Sequence, residues 1–172
     1  DADEPFSPPE AISATSGFGG YPEVRDPALA VDSTRTVHLA WAGNTTLGYR
    51  ILYASKPRDG MWTFPAVVNP GYGQCFYPRL AVDGMDRIHV VWQETLPGSI
   101  QSDIYYAMRN ADGIWSAAVN LSQNVGNSQT PWLIVGHDGT LHVVWQDDSD
   151  PPQQAEVLYT HKPLDGDWSP PE

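Results

Sequence analysis

Three stretches of this sequence repeat one another, and no other feature constrains the fold as tightly. The copies open with Pro27-Ala-Leu-Ala-Val-Asp32, Pro78-Arg-Leu-Ala-Val-Asp83 and Pro131-Trp-Leu-Ile-Val-Gly136. After a short polar turn come Val37-His-Leu-Ala-Trp41, Ile88-His-Val-Val-Trp92 and Leu141-His-Val-Val-Trp145. A variable loop leads to Ile51-Leu-Tyr-Ala54, Ile104-Tyr-Tyr-Ala107 and Val157-Leu-Tyr-Thr160. Each copy closes on Asp59-Gly-Met-Trp62, Asp112-Gly-Ile-Trp115 or Asp165-Gly-Asp-Trp168. The equivalent histidines, His38, His89 and His142, are 51 and 53 residues apart. A self-similar period of that length marks a repeat architecture.

Each conserved segment is short, rich in Val, Ile, Leu, Tyr and Trp, and bounded by Gly, Asp, Asn and Pro, which is strand composition. The 16 prolines leave no room for a long amphipathic helix. The expected strands are A (28–32, 79–83, 132–136), B (37–42, 88–93, 141–146), C (50–55, 103–108, 156–161) and D (62–68, 115–121, 168 onward). Asp83-Gly-Met-Asp86 and His137-Asp-Gly139 supply hairpin turns, since Asp and Gly tolerate positive φ. Four antiparallel strands repeated at this spacing make a β-propeller blade. The fold class is all-β, one three-blade unit over 1–172 with blades at 27–68, 78–121 and 131–172.

Phe6-Ser-Pro-Pro-Glu10 echoes Trp168-Ser-Pro-Pro-Glu172, so a further outer strand is expected at about 6–13. Propellers usually have four to eight blades, and three leave an arc with two open ends. Either two chains close a six-bladed ring as a homodimer, or the arc is part of a longer propeller. The dimer is the expected arrangement.

Composition removes several function classes. Net charge is −12, with only two lysines, Lys56 and Lys162. Phosphate backbones and anionic membranes need clustered Lys and Arg, so nucleic-acid binding is not expected. No apolar stretch is long enough for a membrane-spanning helix. The single cysteine, Cys75, rules out an intrachain disulfide framework. Few lysines, many Trp and Tyr, and an acidic balance suit an extracellular or cell-surface bacterial protein.

The C–D segments, Ile51-Leu-Tyr-Ala-Ser-Lys-Pro-Arg-Asp-Gly-Met-Trp-Thr63, Ile104 to Ser116 and Val157 to Ser169, resemble worn Asp-boxes, the turns that mark sialidases and related BNR-repeat propellers. The family pattern is Ser-x-Asp-x-Gly-x-Thr-Trp. Here Asp and Gly are adjacent, the Gly-to-Trp spacing is two, and only Ser55 supplies the leading serine. The resemblance implies a propeller. The box is a structural turn in that family, opposite the active site, and carries no catalytic residue across.

Residues repeated in every blade are expected to be structural: the three histidines, Trp41, Trp92 and Trp145, Trp62, Trp115 and Trp168, and the Asp-Gly pairs, whose carboxylates could fix the C–D turns. The three histidines lie at one radius in different blades, so they do not converge on a metal, and no metal or cofactor is expected. Function belongs where the blades differ. The D–A loops carry Phe18, Tyr21, Tyr72, Phe76 and Tyr77 beside glycines, aromatics that suit stacking on a sugar ring or covering of a blade junction. At the start of strand A the variable residues are Ala28, Arg79 and Trp132. Arg79 could grip a carboxylate in bidentate fashion, with Arg25 second at the channel mouth. The B–C loops add Glu94 and the run Asp147, Asp148 and Asp150, read as solvated surface with calcium as an alternative.

Sialidase chemistry needs three arginines, a tyrosine–glutamate pair and an acid aspartate, and that set is not visible. The leading expectation is therefore a non-catalytic module that binds glycan or another small polar ligand at the channel face. A sialidase-like glycoside hydrolase and a purely structural assembly scaffold remain the alternatives.

Overall fold

The computed structural model describes residues 8–12, 23–71, 73–148 and 155–172. Blade one is β1 (Val24–Val31), β2 (Val37–Thr45), β3 (Gly48–Lys56) and β4 (Ala66–Val67). Blade two is β5 (Gln74–Val82), β6 (Ile88–Thr95), β7 (Ser102–Arg109) and β8 (Val119–Asn120). Blade three is β9 (Ser128–Val135), β10 (Leu141–Asp147) and β11 (Glu156–Lys162). Pairing within each sheet is antiparallel and sequential. The inner strands β1, β5 and β9 pack beside one another in that order. The described chain is thus an all-β arc of three propeller blades.

The inner strands start earlier than the sequence suggests, at Val24, Gln74 and Ser128 rather than near the repeated proline. A bulge carries the pairing across that proline: the register shifts between Arg25 and Ala28 and between Phe76 and Arg79, and in blade three opposite Val144 and Gln146. Proline has no N–H for the ladder, so a bulge is where a strand tolerates it. The residue before each proline takes a left-handed conformation: Asp26 at φ 53°, Tyr77 at φ 51° and Thr130 at φ 48°.

The fourth strands are shorter than expected, two residues each in blades one and two. In blade three no fourth strand is assigned, but the same place is filled. Ser169 N donates to His161 O at 2.8 Å, and Glu172 and Tyr159 exchange backbone bonds of 2.9 and 3.0 Å. Pro65, Pro170 and Pro171 cannot donate there. The expected outer strand at 6–13 is not formed by described residues 8–12. That segment lies instead against blade one, with Lys56 Nζ donating to Glu10 Oε2 at 2.9 Å.

The core lies between the blades. Ala40, Ala42, Ile51 and Tyr53 of blade one cluster with Leu80, Ile88, Val90 and Trp92 of blade two. Val91, Ile104 and Tyr106 of blade two cluster with Leu133, Leu141, Val143 and Trp145 of blade three. An edge-on ring pair caps each joint: Trp115 on Tyr53 at 5.3 Å and Trp168 on Tyr106 at 5.0 Å.

The repeated histidines bind these sheets internally, as expected. His38 Nδ1 meets Tyr53 Oη at 2.6 Å and Nε2 meets Asp32 Oδ2 at 3.1 Å. His89 repeats the pattern with Tyr106 at 2.8 Å and Asp83 at 3.2 Å. His142 keeps only the tyrosine, Tyr159 at 2.8 Å, because Gly136 stands where the other blades have aspartate. Asp32 and Asp83 also tie down the A–B turns, accepting from Thr34 and Thr36 N and from Met85 and Arg87 N. Burial opposes ionisation of Asp32, but these bonds and those from the Thr34 and His38 side chains outweigh it and hold its carboxyl at about 2. The Asp-Gly pairs do not play this part. Asp59, Asp112 and Asp165 are exposed, and backbone bonds from Gly60, Gly113 and Gly166 close the C–D turns.

Replacing His89 by Ala leaves the buried Tyr106 hydroxyl without its partner, takes one of several partners from Asp83, and lowers unfolding free energy by about 1–3 kcal/mol. His142→Ala costs about half as much, because no carboxylate is left behind. Denaturant melts at pH 7 read the difference. Burial, ahead of the opposing pull of Asp83, lowers the pKa of His89. Its contribution is therefore complete above about pH 6.5 and fades as pH falls below that value. His89→Gln flattens the loss of stability between pH 7.5 and 5.

Candidate functional site

The three bulges place Asp26, Tyr77 and Thr130 at equivalent positions of the inner strands, two residues before Ala28, Arg79 and Trp132. Tyr77 N approaches Asp26 Oδ2 at 3.4 Å, which joins β5 to β1. Thr130 N donates to Gln93 Oε1 at 3.3 Å, which joins β9 to β6. Bulges re-aim side chains, and left-handed non-glycine residues are a form of stored strain often found at functional sites. Recurrence in all three blades gives the bulge a structural role, while its variable side chains differ in chemistry: Asp26, Tyr77 and Thr130.

Arg79 and Trp132, the two variable candidates of strand A, come together across β5 and β9. The Arg79 guanidinium lies over the Trp132 ring, its carbon 4.9 Å from the centroid. Its Nη1 donates to Pro78 O at 2.9 Å, and its buried Nε has no partner among the described residues. Trp132 stays 56% exposed, so the side chain remains accessible to a ligand beside the stacked guanidinium. Ala28 is the third member of this level, and its small side chain leaves room. The resulting cleft of about 380 Å³ is lined by Pro27, Ala28 and Leu29 of β1, Arg79 and Leu80 of β5, and Trp132 and Leu133 of β9. An indole with a guanidinium stacked on it offers apolar area and directed donors together.

Other expected site residues fall elsewhere. Phe18, Tyr21, Tyr72 and Asp150 lie outside the described residues. Tyr77 is 38% exposed and lies at the bulge within β5 rather than on a loop, outside the lining of the cleft. Phe76 covers the blade junction, its ring 4.7 Å from that of Tyr49. Arg25 pairs with Glu23 at 3.2 Å and lies 5.4 Å over the Tyr49 ring. Arg87 binds Asp83 at 2.6 Å, and Arg109 lies over Tyr53 at 5.2 Å. Of the arginines described, Arg79 alone lines the cleft.

Glu94 was expected at a B–C loop as a ligand group. It sits in β6, 2% exposed, where its Oε2 accepts from Trp92 Nε1 and Asn69 Nδ2, both at 2.9 Å. Asp147 is its counterpart in blade three, also 2% exposed, accepting from Trp145 Nε1 at 3.1 Å and Ser128 Oγ at 2.6 Å. It is therefore not solvated surface. Both carboxylates satisfy a buried indole. The nearby glycine has a packing reason: a Cβ at Gly73 would stand 2.3 Å from Glu94 Oε1. In blade one the acid is replaced by Gly43, where a Cβ would meet Leu52 Cδ1 at 2.5 Å, and Trp41 Nε1 has no partner among the described residues. Asp148 accepts from Asn127 Nδ2 at 3.1 Å. No group of three or more His, Cys, Asp or Glu among the described residues is placed to hold a metal ion.

Sequence reasoning passed over Asp26. The signal was there: it stands directly before the repeated proline, where the other blades carry Tyr77 and Thr130.

The fold these features describe is a β-propeller, and solved structures of that class match it. The catalytic domain of the GH62 α-L-arabinofuranosidase of Coprinopsis cinerea superposes with a TM-score of 0.55 at 16% identity, covering 87% of this chain and 50% of that one. The endo-arabinase of Bacteroides thetaiotaomicron gives 0.56 at 13% identity, covering 96% and 65%. An exo-1,5-α-L-arabinanase from a bovine ruminal metagenomic library gives 0.55 at 15%, covering 88% and 53%. The chain thus spans half to two-thirds of the length of these structures. Identities this low establish the propeller fold, and the narrower sialidase attribution is not carried by them. The sequence matches no family model and no curated protein. No helix among the described residues is long and apolar enough to cross a membrane.

Glu94→Ala tests its reassignment. Leaving Trp92 Nε1 and Asn69 without their acceptor costs about 1–3 kcal/mol in a denaturant melt, while saccharide affinity stays within twofold of wild type.

Proposed function

We propose that the protein acts on carbohydrate at the concave face of its blades. The observation that carries this reading is the meeting of Arg79 and Trp132 on neighbouring inner strands at one open cleft, with Asp26 next in sequence to its lining residue Pro27 and accepting from Tyr77 N. Trp132 offers its face to a sugar ring, Arg79 donates to hydroxyl or carboxylate oxygens, and Asp26 supplies an ionisable group. Hydrolysis of a glycosidic bond is the form of action that the similar structures favour, since the proteins they describe are arabinofuranosidases and arabinanases. Such chemistry needs two carboxyl groups about 5–10 Å apart across the bond. Asp26 is the one we assign here, as acid or base. A negatively charged extracellular or cell-surface protein is consistent with a polysaccharide substrate.

A second reading, retention of glycan without cleavage, is favoured by one observation: the positions equivalent to Asp26 hold Tyr77 and Thr130 rather than a second acid. Turnover and binding separate the two. A panel of fluorogenic glycosides including an arabinofuranoside and a sialoside, together with arabino-oligosaccharides, is assayed for hydrolysis and by calorimetry. Hydrolysis predicts that Asp26→Asn lowers turnover by about 10²–10⁴-fold with affinity held. Trp132→Ala weakens binding about tenfold or more under either reading, roughly 1.4 kcal/mol. Wild-type binding without turnover selects retention. Neither binding nor turnover across the panel removes both readings and leaves the assembly scaffold.

A further inference from the structure

The guanidinium of Arg79 stands in the cleft without a counter-charge. Arg79 belongs to the middle blade, so a described blade lies on either side of it. It is the one charged residue among the described residues that line the cleft, whose other walls are aliphatic side chains and the indole of Trp132. The chain holds 21 acidic residues against 9 lysines and arginines. Other cations are paired with that surplus: Arg25 with Glu23 at 3.2 Å, Lys56 with Glu10 at 2.9 Å and Arg87 with Asp83 at 2.6 Å. No described carboxylate is within ion-pair distance of Arg79. Asp26, the acid nearest in sequence to the lining, has its Oδ2 against Tyr77 N at 3.4 Å.

From this we infer that the cleft takes a sugar bearing a carboxylate, a uronic acid residue, whose acid group sits on Arg79. The inference rests on the carbohydrate reading of the cleft and names the substrate class within it. A guanidinium with an indole on its face and a buried Nε has given up part of its hydration, and a neutral hydroxyl returns only part of that loss. A carboxylate returns charge as well as acceptors, and its two oxygens match a pair of guanidinium N–H groups. The donors for that match remain. Pro78 O takes one N–H of Nη1, which leaves the second N–H of Nη1 and both of Nη2. The apolar walls lower the local dielectric and strengthen the pair. Ala28, the counterpart of Arg79 in β1, adds no second cation, so the cleft grips one carboxylate at a time. The net charge of −12 opposes an anionic ligand at long range, but at about 0.15 M salt that repulsion fades beyond roughly 8 Å, while the contact pair in the cleft is screened far less.

Calorimetry at about 0.15 M salt tests this with trigalacturonate and its methyl ester, which share their sugar rings and differ at the carboxyl groups. Wild type binds the acid about 10–100-fold tighter than the ester, the difference that hydrogen bonds to a charged group make. Arg79→Gln brings the acid down to the affinity of the ester. Any loosening of Trp132 by that substitution weakens both ligands alike, so their ratio still measures the charge pair alone. Equal binding of acid and ester by wild type overturns the inference and leaves the carbohydrate reading standing. So does an acid preference that survives Arg79→Gln undiminished, because it places the carboxylate on another surface. Binding of arabino-oligosaccharide with neither galacturonate ligand also overturns the inference alone, whereas binding of no saccharide at all overturns it together with the carbohydrate reading.

Discussion

Every blade of this protein has two apolar faces and can bury them only against other blades. A lone twisted sheet of three or four short strands would leave Ile51, Tyr53 and Trp92, or their equivalents, in water. The joints solve this by stacking one sheet on the next, so that Trp92 and Trp145 fall below 2% exposure. Burying an indole creates a further demand, since its N–H must find an acceptor. Glu94 and Asp147 meet it, and asparagines from the preceding loops lock both acids in place. The histidine–tyrosine pairs impose the same discipline one layer away. Packing between blades therefore decides most of the polar chemistry in the interior.

The concave face is where that discipline relaxes. Inner strands must pass a proline and hold a left-handed residue to keep their register, and the bulge leaves that residue free to vary. Blade packing needs the bulge but not the side chain. Asp26, Tyr77 and Thr130 can therefore differ, as can Ala28, Arg79 and Trp132 two places on. Three nearly identical blades become chemically distinct along one line of contact. A large aromatic from β9, a cation from β5 and a small residue from β1 leave a cleft open between them.

Much of this could be read in the residues before any coordinates. The repeat placed the strands and blades, and recurrence correctly marked His38, His89 and His142 as structural. Non-recurrence pointed to Arg79 and Trp132, whose side chains meet at the cleft. Where reading failed, a local feature hid a longer-range one. Gly71 to Tyr77 has loop composition, yet most of it is strand, because pairing resumes beyond the bulge and Gly73 only makes room for Glu94. Glu94 and Asp147 looked variable because blade one has Gly43 in their place, which broke a pattern the other two blades share. The Asp-Gly pairs looked like carboxylate-fixed turns, but Gly60, Gly113 and Gly166 close those turns through the backbone. Asp26 went unseen because a residue ahead of proline reads as a turn, and its left-handed conformation has no signature in composition.

The central claim is that saccharide contacts the concave face at Trp132. It is tested most directly by following the indole N–H resonances of ¹⁵N-labelled protein while arabino-oligosaccharide is added. The resonance of Trp132, assigned by its loss in Trp132→Phe, should shift and saturate, while those of buried Trp92 and Trp145 stay fixed. Saturable shifts confined to other tryptophans, with Trp132 unmoved, would contradict the account.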